Sequence, residues 1–269
     1  MDIAEIRNRA KNWLSDKYDA DTRNQVQNMI DNDEDLLIDS FYKDLEFGTG
    51  GLRGIMGVGT NRVNKYTIGA ATQGLCNYIK MQIKNKPLSA AIAYDCRNNS
   101  KEFAKYTASV FSANGFQVYL FEDLRPTPEL SFAIRELKCD TGVVITASHN
   151  PKEYNGYKAY WSDGAQIIAP HDKNIIDEVI KISDVDQILF DDSLTNIKYL
   201  GVDFDDIYLN KISQLIVNKD IVKNTDLKVV FTPLHGTTTK LVPQALKQIG
   251  IQNVISEPSQ SIADGNFPS

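Results

Sequence analysis

The chain has few cysteines and no long apolar segment. Its 269 residues include three cysteines, Cys76, Cys96 and Cys139, and none of them shows the C-x-x-C spacing of a zinc or redox site. No apolar run approaches the ~20 residues that a membrane-spanning helix needs. The N-terminus also lacks a secretory apolar core, since its apolar residues recur at helical spacing. These absences predict reduced thiols and a cytoplasmic protein.

Basic residues are in the minority. The formal charge is −6, from 29 Lys and Arg against 35 Asp and Glu. This balance argues against nucleic acid or an anionic membrane as the main partner. The 42% hydrophobic and 24% charged content is typical of a globular protein, and the length suits one large domain or two ordinary ones.

Four familiar motifs are missing. The glycine-rich residues 47–54, FGTGGLRG, have neither the Gly-Lys-Ser/Thr of a Walker loop nor the spacing of a G-x-G-x-x-G fingerprint. The acidic residues 31–35 begin like a calcium loop, but Leu36 and Tyr42 stand where an EF-hand needs glycine and glutamate. We therefore interpret this run as a solvated turn between helices. No G-x-S-x-G elbow of a serine hydrolase is present.

Strand and helix patterns alternate along most of the chain. Residues 1–40 are predicted as a helical N-terminal extension. Strands are predicted at 90–94, 116–121, 142–146, 228–232 and 253–256, and helices at 67–83, 99–114, 127–138 and 239–249. Such alternation predicts an α/β fold: a mixed, largely parallel sheet sandwiched by helices, followed by a similar second unit. Weaker periodicity at 185–205 marks a boundary between the two.

Residues 146–151, TASHNP, are the strongest functional signal. Ser148 stands where an apolar, β-branched strand ends, and the Asn150-Pro151 step turns the chain. A hydroxyl held at a strand end beside the imidazole of His149 suits covalent chemistry. Adjacent residues on an extended loop point in opposite directions, which disfavours a nucleophile–base pair of the hydrolase type.

Residues 157–161 and 165–168 flank a Ser-Asp-Gly turn, which predicts a hairpin. Lys158 would then lie on a strand next to the serine, with its ammonium free to lean over the loop. An arginine among the glycines of 47–54 makes phosphate contact plausible, because a guanidinium binds phosphate oxygens as a bidentate fork. His171 is predicted as a surface residue, and His235 as a residue that structures a loop.

Residues 146–158, TASHNPKEYNGYK, resemble the phosphoserine loop of the α-D-phosphohexomutase superfamily. The resemblance implies that Ser148 carries a phosphoryl group and that Lys158 lies in the sugar site. FGTGGLRG is similar to another segment of these enzymes, whose threonine and arginine face the active centre; here these are Thr49 and Arg53. The implied catalytic residues are Ser148, Lys158, Arg53 and His149, and the implied substrate-binding residues are Thr49, Arg53 and Lys158.

The same resemblance implies the reaction. A hexose 1-phosphate and a hexose 6-phosphate would interconvert through the phosphoserine and a bound 1,6-bisphosphate, with glucose 1,6-bisphosphate as activator or intermediate. Glucose 1-phosphate is the expected substrate, with mannose or ribose 1-phosphate, or a non-catalytic sugar-phosphate binding protein, as alternatives. The family's Mg²⁺ is held by an aspartate-rich loop that the sequence lacks, so Ser148, through its phosphate, is the only metal ligand expected here.

The expected organisation is a helical extension at 1–40, a first mutase domain at 41–200 and the start of a second at 201–269. The last seven residues resemble a family segment that precedes the metal loop. We therefore expect an N-terminal part that is inactive without its C-terminal domains. Residues 95–97, Asp-Cys-Arg, resemble a short family motif. Both an active-site supporting role and a packing ion pair remain open for Arg97.

Overall fold

The fold has three parts: a helical N-terminal segment, a layered α/β domain and a smaller α/β unit. The computed structural model describes residues 2–48, 50–191, 193–223 and 225–269. None of the helices in these ranges is both long and apolar enough to cross a membrane.

The N-terminal segment consists of α1 (Ile3–Asn12), α2 (Ala20–Asn32) and α3 (Glu34–Phe41), as predicted. Each helix begins at an aspartate whose carboxylate accepts a backbone N–H of the first turn, the usual chemistry of an N-cap. The acidic run supplies one of these caps, since Asp33 accepts from the Leu36 N–H at 3.0 Å. The run therefore ends α2 and starts α3.

An aromatic cluster joins the N-terminal helices to the domain that follows. The Trp13 ring stacks on Tyr18 with centroids 4.6 Å apart, and it meets Phe41 and Tyr66 edge-on at 5.6 and 5.5 Å. Tyr66 also donates its hydroxyl to Asp19 at 2.7 Å. Tyr66 belongs to the first helix of the α/β domain, so the cluster fixes the helical segment against that domain.

The α/β domain alternates strands and helices along the chain. Its elements are β1 (Phe47–Gly48), β2 (Gly51–Ile55), α4 (Lys65–Gln82), β3 (Leu88–Tyr94), α5 (Ser100–Ala113), β4 (Phe116–Phe121), α6 (Thr127–Glu136), β5 (Thr141–Ile145), β6 (Tyr154–Trp161), α7 (His171–Ile180), β7 (Ile197–Leu200) and α8 (Val202–Ser213). The described strands form one sheet in the order β1-β2-β6-β5-β3-β4-β7. Its three interfaces among β5, β3, β4 and β7 are parallel, and the others are antiparallel. The mixed, largely parallel sheet is confirmed.

Helices cover both faces of the sheet because its central strands are apolar on both faces. Ala90 and Ile92 of β3 pack in the cluster that contains α4 and α5, whereas Ala91 and Ala93 pack in the cluster that contains α6. The chain moves from β3 to β4 through α5, and then back to β5 on the other side of β3 through α6. Right-handed crossovers in opposite directions require helices on opposite faces. The gap between the carboxyl ends of β3 and β5 is therefore a topological switch point, where ligands collect in such sheets.

The predicted hairpin is only half correct. β6 is a strand, but residues 165–168 form a single bridge, between Tyr160 and Gln166, with Trp161 N–H donating to Ala165 O at 2.9 Å. The reason is that β2 already occupies this edge of β6 as far as Lys158, which leaves only the short end of the strand for the returning chain.

The surface location predicted for His171 is wrong. Its ring is half-buried and stacks on Trp161 at a centroid distance of 4.2 Å, and its Nδ1 lies 2.7 Å from the Tyr78 hydroxyl oxygen. The imidazole therefore packs α7 against α4 and the end of β6.

The smaller unit has the predicted strand–helix–strand order. After α9 (Lys219–Lys223) come β8 (Lys228–Phe231), α10 (Leu241–Gln248) and β9 (Asn253–Ser256), with β8 and β9 paired in parallel. The preceding helix, α8, packs on the first domain, where Phe204 lies edge-on to Phe121 with centroids 5.7 Å apart. Residues 197–200, where periodicity is weak, add the edge strand β7 to the large sheet.

Candidate active site

Ser148 is displayed on a strained turn at the switch point. The chain leaves β5 through Thr146, whose N–H donates to Gly156 O at 3.0 Å, and Ser148 then adopts a φ of 59°. Left-handed geometry of this kind costs a non-glycine residue about 1–3 kcal/mol and persists only where neighbours enforce it. One such neighbour is the Thr146 hydroxyl, which accepts the Ser148 N–H at 3.0 Å. The serine side chain is left exposed.

Arg97 is the main brace of the serine loop, defined here as residues 146–151. Its guanidinium is buried at the end of β3 and donates to four backbone carbonyls. These carbonyls belong to Ser148 (3.1 Å), Asn150 (2.5 Å), Pro151 (2.8 Å) and Tyr154 (3.0 Å). Its Nε also lies 3.4 Å from Asp95 Oδ2. Arg97 therefore makes the ion-pair contact with Asp95 that one interpretation predicted. It also supports the serine loop, as the other interpretation predicted, through its bonds to the backbone carbonyls.

A buried polar network holds Arg97 in place. Asp95 accepts from the Arg97 N–H at 2.9 Å and from the Ser100 hydroxyl at 2.7 Å. Asn155 of β6 donates its amide to that hydroxyl oxygen at 2.9 Å and to Asn98 O at 3.1 Å. Sequence reasoning missed Asn155, although its position inside the matched segment 146–158 was a usable signal.

Lys158 reaches Ser148 directly. It is paired in register with Gly51 of β2 and Val144 of β5, in the middle of the sheet. Its Nζ donates to Ser148 Oγ at 3.1 Å. Burial lowers the pKa of the Lys158 ammonium, and the Arg53 charge lowers it further, while Asp95 opposes both effects. The ammonium is therefore a stronger acid than an exposed lysine.

Arg53 contacts the serine loop through Asn150. Its place opposite Gly156 on β6 brings Nη1 to 2.8 Å from Asn150 Oδ1. Arg53 and Lys158 both line a groove of about 610 Å³ that also contains Tyr154 and Gln166. The guanidinium is exposed, so it can contact a bound anion without first losing a buried partner.

Two glycines allow the strands that carry these cations to come together. A Cβ added to Gly51 would lie 1.9 Å from Tyr157 O, and one added to Gly156 would lie 2.7 Å from Leu52 O and 2.8 Å from Thr146 O. Any side chain at these positions would push β2 and the serine loop away from β6. Part of the glycine density in the sequence thus serves close backbone approach.

One sequence-predicted residue is not brought into the cluster of Ser148, Lys158 and Arg53, and another falls outside the described residues. His149 is exposed, and its ring has no hydrogen-bond partner within the described ranges. Thr49 lies outside the described residues. His235, by contrast, is buried in the loop after β8, where its two ring nitrogens contact Ile262 O at 2.9 Å and Ser269 Oγ at 2.8 Å. This is the loop-structuring arrangement predicted for it.

The described residues contain no group of three or more His, Cys, Asp or Glu side chains that could hold a metal ion. The three cysteines are free thiols, two of them buried. Burial raises the pKa of Cys139 to about 12 and that of Cys96 to about 11, so neither is a reactive thiolate at neutral pH. What the cluster offers chemically is one exposed hydroxyl with two cations beside it.

An exposed hydroxyl with two cations beside it, at the switch point of a mixed α/β sheet, is an arrangement suited to an anionic ligand. The family model of phosphoglucomutase/phosphomannomutase alpha/beta/alpha domain I matches residues 44–186, and the model of domain II matches residues 206–269. The chain belongs to the phosphoglucomutase/phosphomannomutase family.

Individual relatives agree with this. The chain is 35% identical to a phosphopentomutase of Pongo abelii, over 96% of this chain and 44% of that one. It is 37% identical to a phosphoglucomutase of Staphylococcus haemolyticus, over 88% of this chain and 45% of the relative. A solved structure of a candidate phosphomannomutase from Thermus thermophilus has the same fold, with a TM-score of 0.69 at 21% identity over 84% of this chain and 48% of that one. The chain therefore spans less than half the length of the curated relatives it matches.

Proposed function

We propose that Ser148 is the phosphoryl carrier of a phosphohexomutase that interconverts hexose 1-phosphate and hexose 6-phosphate. The observation that carries the proposal is the 3.1 Å contact between the Lys158 ammonium and the exposed Ser148 hydroxyl. A serine needs a neighbouring proton-transfer group to exchange a phosphoryl group, because its alkoxide is a poor leaving group. Lys158 is the group within reach.

Residues of the chain and the bound sugar account for every bond and proton in the transfer. The P–O bond to Ser148 Oγ breaks while a new P–O bond forms to a hydroxyl of the bound sugar phosphate. Lys158 gives its proton to the departing Ser148 Oγ, and the sugar hydroxyl gives up its own proton, with His149 as the proposed acceptor. The lowered pKa of Lys158 favours its part of this exchange. The resulting 1,6-bisphosphate then returns its other phosphoryl group to Ser148.

The cations beside the serine would bind the substrate. Arg53 is exposed in the groove that Lys158 also lines, and a guanidinium matches phosphate oxygens as a bidentate fork. Thr49 is proposed to contact the same group. A phosphoserine brings about −1.5 to −2 charge at neutral pH, so these cations also stabilise the phosphorylated loop.

Mg²⁺ is proposed as the cofactor of the complete enzyme, but the residues described here do not form its site. The phosphate on Ser148 is the single ligand we assign to it. We propose that full turnover needs C-terminal domains, since the chain spans less than half of its relatives' length. On this proposal the 269-residue chain alone accepts phosphate without completing the mutase cycle.

Glucose 1-phosphate is the proposed substrate. Relatives of similar identity are named phosphoglucomutase and phosphopentomutase, so ribose 1-phosphate and mannose 1-phosphate are the alternatives to compare.

The proposal is tested by incubating the chain with glucose 1,6-bisphosphate and Mg²⁺ and measuring phosphate uptake by intact mass and peptide mapping. We expect one phosphate on Ser148, none in S148A, and wild-type uptake in the control S162A, since Ser162 is exposed on the turn after β6. Uptake on another residue, or none by the wild-type chain, would overturn the carrier role. Mannose and ribose bisphosphates in the same assay rank the sugars.

A further inference from the structure

A segment of the smaller unit lies directly against the loop that carries Arg97. In this clamp segment, residues 264–267, Gly265 is buried. A Cβ added there would lie 2.5 Å from Asn98 N and 2.9 Å from Cys96 O, so the contact leaves no room for a side chain. Asn98 also donates its amide to Asn266 Oδ1 at 3.1 Å. The two backbones are therefore packed as tightly as glycine allows.

The clamp segment also covers Arg97 itself. The Phe267 ring lies over the guanidinium, with Arg97 Cζ 5.3 Å from the ring centroid. A ring face attracts a cation, and it also excludes water from it. This ring contact and the bonds to the serine loop involve the same guanidinium, and the Arg97 Nε makes no hydrogen bond within the described part of the chain.

The clamp segment is fixed to the smaller unit through His235. The backbone N–H of Asp264 donates to His235 O at 3.1 Å, and His235 N–H donates to Gln260 O at 3.0 Å. The two ring nitrogens of His235 form hydrogen bonds to Ile262 O, which precedes the clamp segment, and to the Ser269 hydroxyl, which follows it. The clamp segment must therefore move together with the turn that follows β8.

We propose that Phe267 and Gly265 clamp the Arg97 guanidinium, so that the position of the smaller unit sets the order of the serine loop. Arg97 is the positioning residue in this arrangement, because it donates to Ser148 O and Asn150 O. Ser148 holds a strained left-handed geometry that depends on those bonds. When the smaller unit moves away, Arg97 loses its cover and the loop loses its brace. This coupling does not depend on the reaction proposed above.

Hydrogen–deuterium exchange of the 269-residue chain tests the proposal. In F267A the ring is lost, and in G265A the new methyl group displaces the segment while Phe267 is kept. We expect both variants to raise exchange several-fold in peptides covering residues 147–154. V230A is the matched control: Val230 is exposed on β8 of the same unit and is none of the residues that contact Arg97 above, so its truncation should leave the serine loop at the wild-type rate.

Two results would overturn the coupling. One is wild-type exchange at 147–154 in F267A and G265A, whatever happens to β8 and β9. The other is an equal rise in all three variants, which would show general destabilisation instead. R97K provides a further readout, because lysine keeps the charge but loses the fork. If Arg97 transmits the effect, adding F267A to R97K should raise loop exchange no further, and full additivity would contradict the proposal.

Discussion

Replacing Glu129 with glutamine tests whether a buried carboxyl group at the start of α6 keeps its proton at neutral pH. Glu129 is fully buried, and neither of its oxygens has a hydrogen-bond partner within the described residues. Its Oε2 lies 3.7 Å from Arg125 Nε. Arg125, however, is already engaged by Asp205 of α8, at 2.6 Å from Nε and 2.8 Å from Nη2. One cation thus faces two carboxyl groups.

The charge balance decides which carboxyl group ionises. Burial raises the pKa of Glu129 to about 8, and repulsion from Asp205 adds to the rise while Arg125 opposes it. A neutral Glu129 can donate its proton in a hydrogen bond to Asp205, which would satisfy an oxygen that otherwise has no partner. Glutamine has the same shape and can donate in the same way.

The sign of the pH dependence follows from proton uptake. Between its ordinary pKa of 4.5 and about 8, folded Glu129 keeps a proton that the unfolded chain releases. The group's contribution to folding stability is therefore complete below pH 4.5 and is lost as the pH rises toward 8, at ~1.4 kcal/mol per pH unit. By pH 7 the loss reaches about 3 kcal/mol. E129Q should escape this loss and exceed the wild-type free energy of unfolding by up to that amount at pH 7, with little difference near pH 4.5.

Urea unfolding of wild type and E129Q at pH 5, 6, 7 and 8 measures the difference. E136Q is the matched control, because Glu136 is exposed at the other end of α6, and it should follow the wild-type curve. If Glu129 were instead an ionised partner of Arg125, E129Q would be less stable at every pH, by about 3–5 kcal/mol for a broken buried pair. That result would refute the reasoning.

Three further variants have defined outcomes. K158M should lower the rate of phosphate uptake on Ser148 by about 10²–10⁴-fold, the usual contribution of a proton-transfer group, while K152M, at the exposed residue that follows the serine loop, should not; equal rates would remove Lys158 from the mechanism. G142A should destabilise the chain by about 1–3 kcal/mol in urea unfolding, because its Cβ would lie 2.4 Å from Ile134 Cδ1; an unchanged midpoint would contradict the packing. N64A should lower the free energy of unfolding by about 1–2 kcal/mol, because the Asn64 side chain accepts the N–H groups of Tyr66 and Thr67 at the start of α4, both at 3.0 Å. A smaller change in urea unfolding would show that the cap is replaceable.

The elements of the sheet were predictable because local patterns determine them. β4 has the predicted bounds, since it follows the helix-ending Gly115 and its apolar residues face helices on both sides. The contact between Ser148 and Lys158 was also predictable in outline, because Lys158 follows Ser148 by ten positions and a turn lies between them. Here the resemblance of residues 146–158 to a known loop indicated that the Lys158 side chain points toward the site of Ser148.

Long-range contacts were not predictable from local patterns. Nothing near residue 97 in the sequence indicates that its side chain donates hydrogen bonds to backbone carbonyls of residues 148–154. The edge strand β7 depends on pairing with β4, and its own sequence has little periodicity. His171 was misplaced for a similar reason, because its partners Trp161 and Tyr78 come from other elements. In each case the partner is distant in the chain, and pairing overrides the local preference.

The aromatic packing has a practical consequence for spectroscopy. The chain contains two tryptophans. Trp13 lies in the N-terminal cluster, and Trp161 packs at the edge of the main sheet core. Intrinsic fluorescence of W13F and W161F would therefore follow the melting of each region separately. Coincident midpoints would indicate that the helical segment and the sheet melt as one cooperative body, whereas an earlier Trp13 signal would indicate that the segment detaches first.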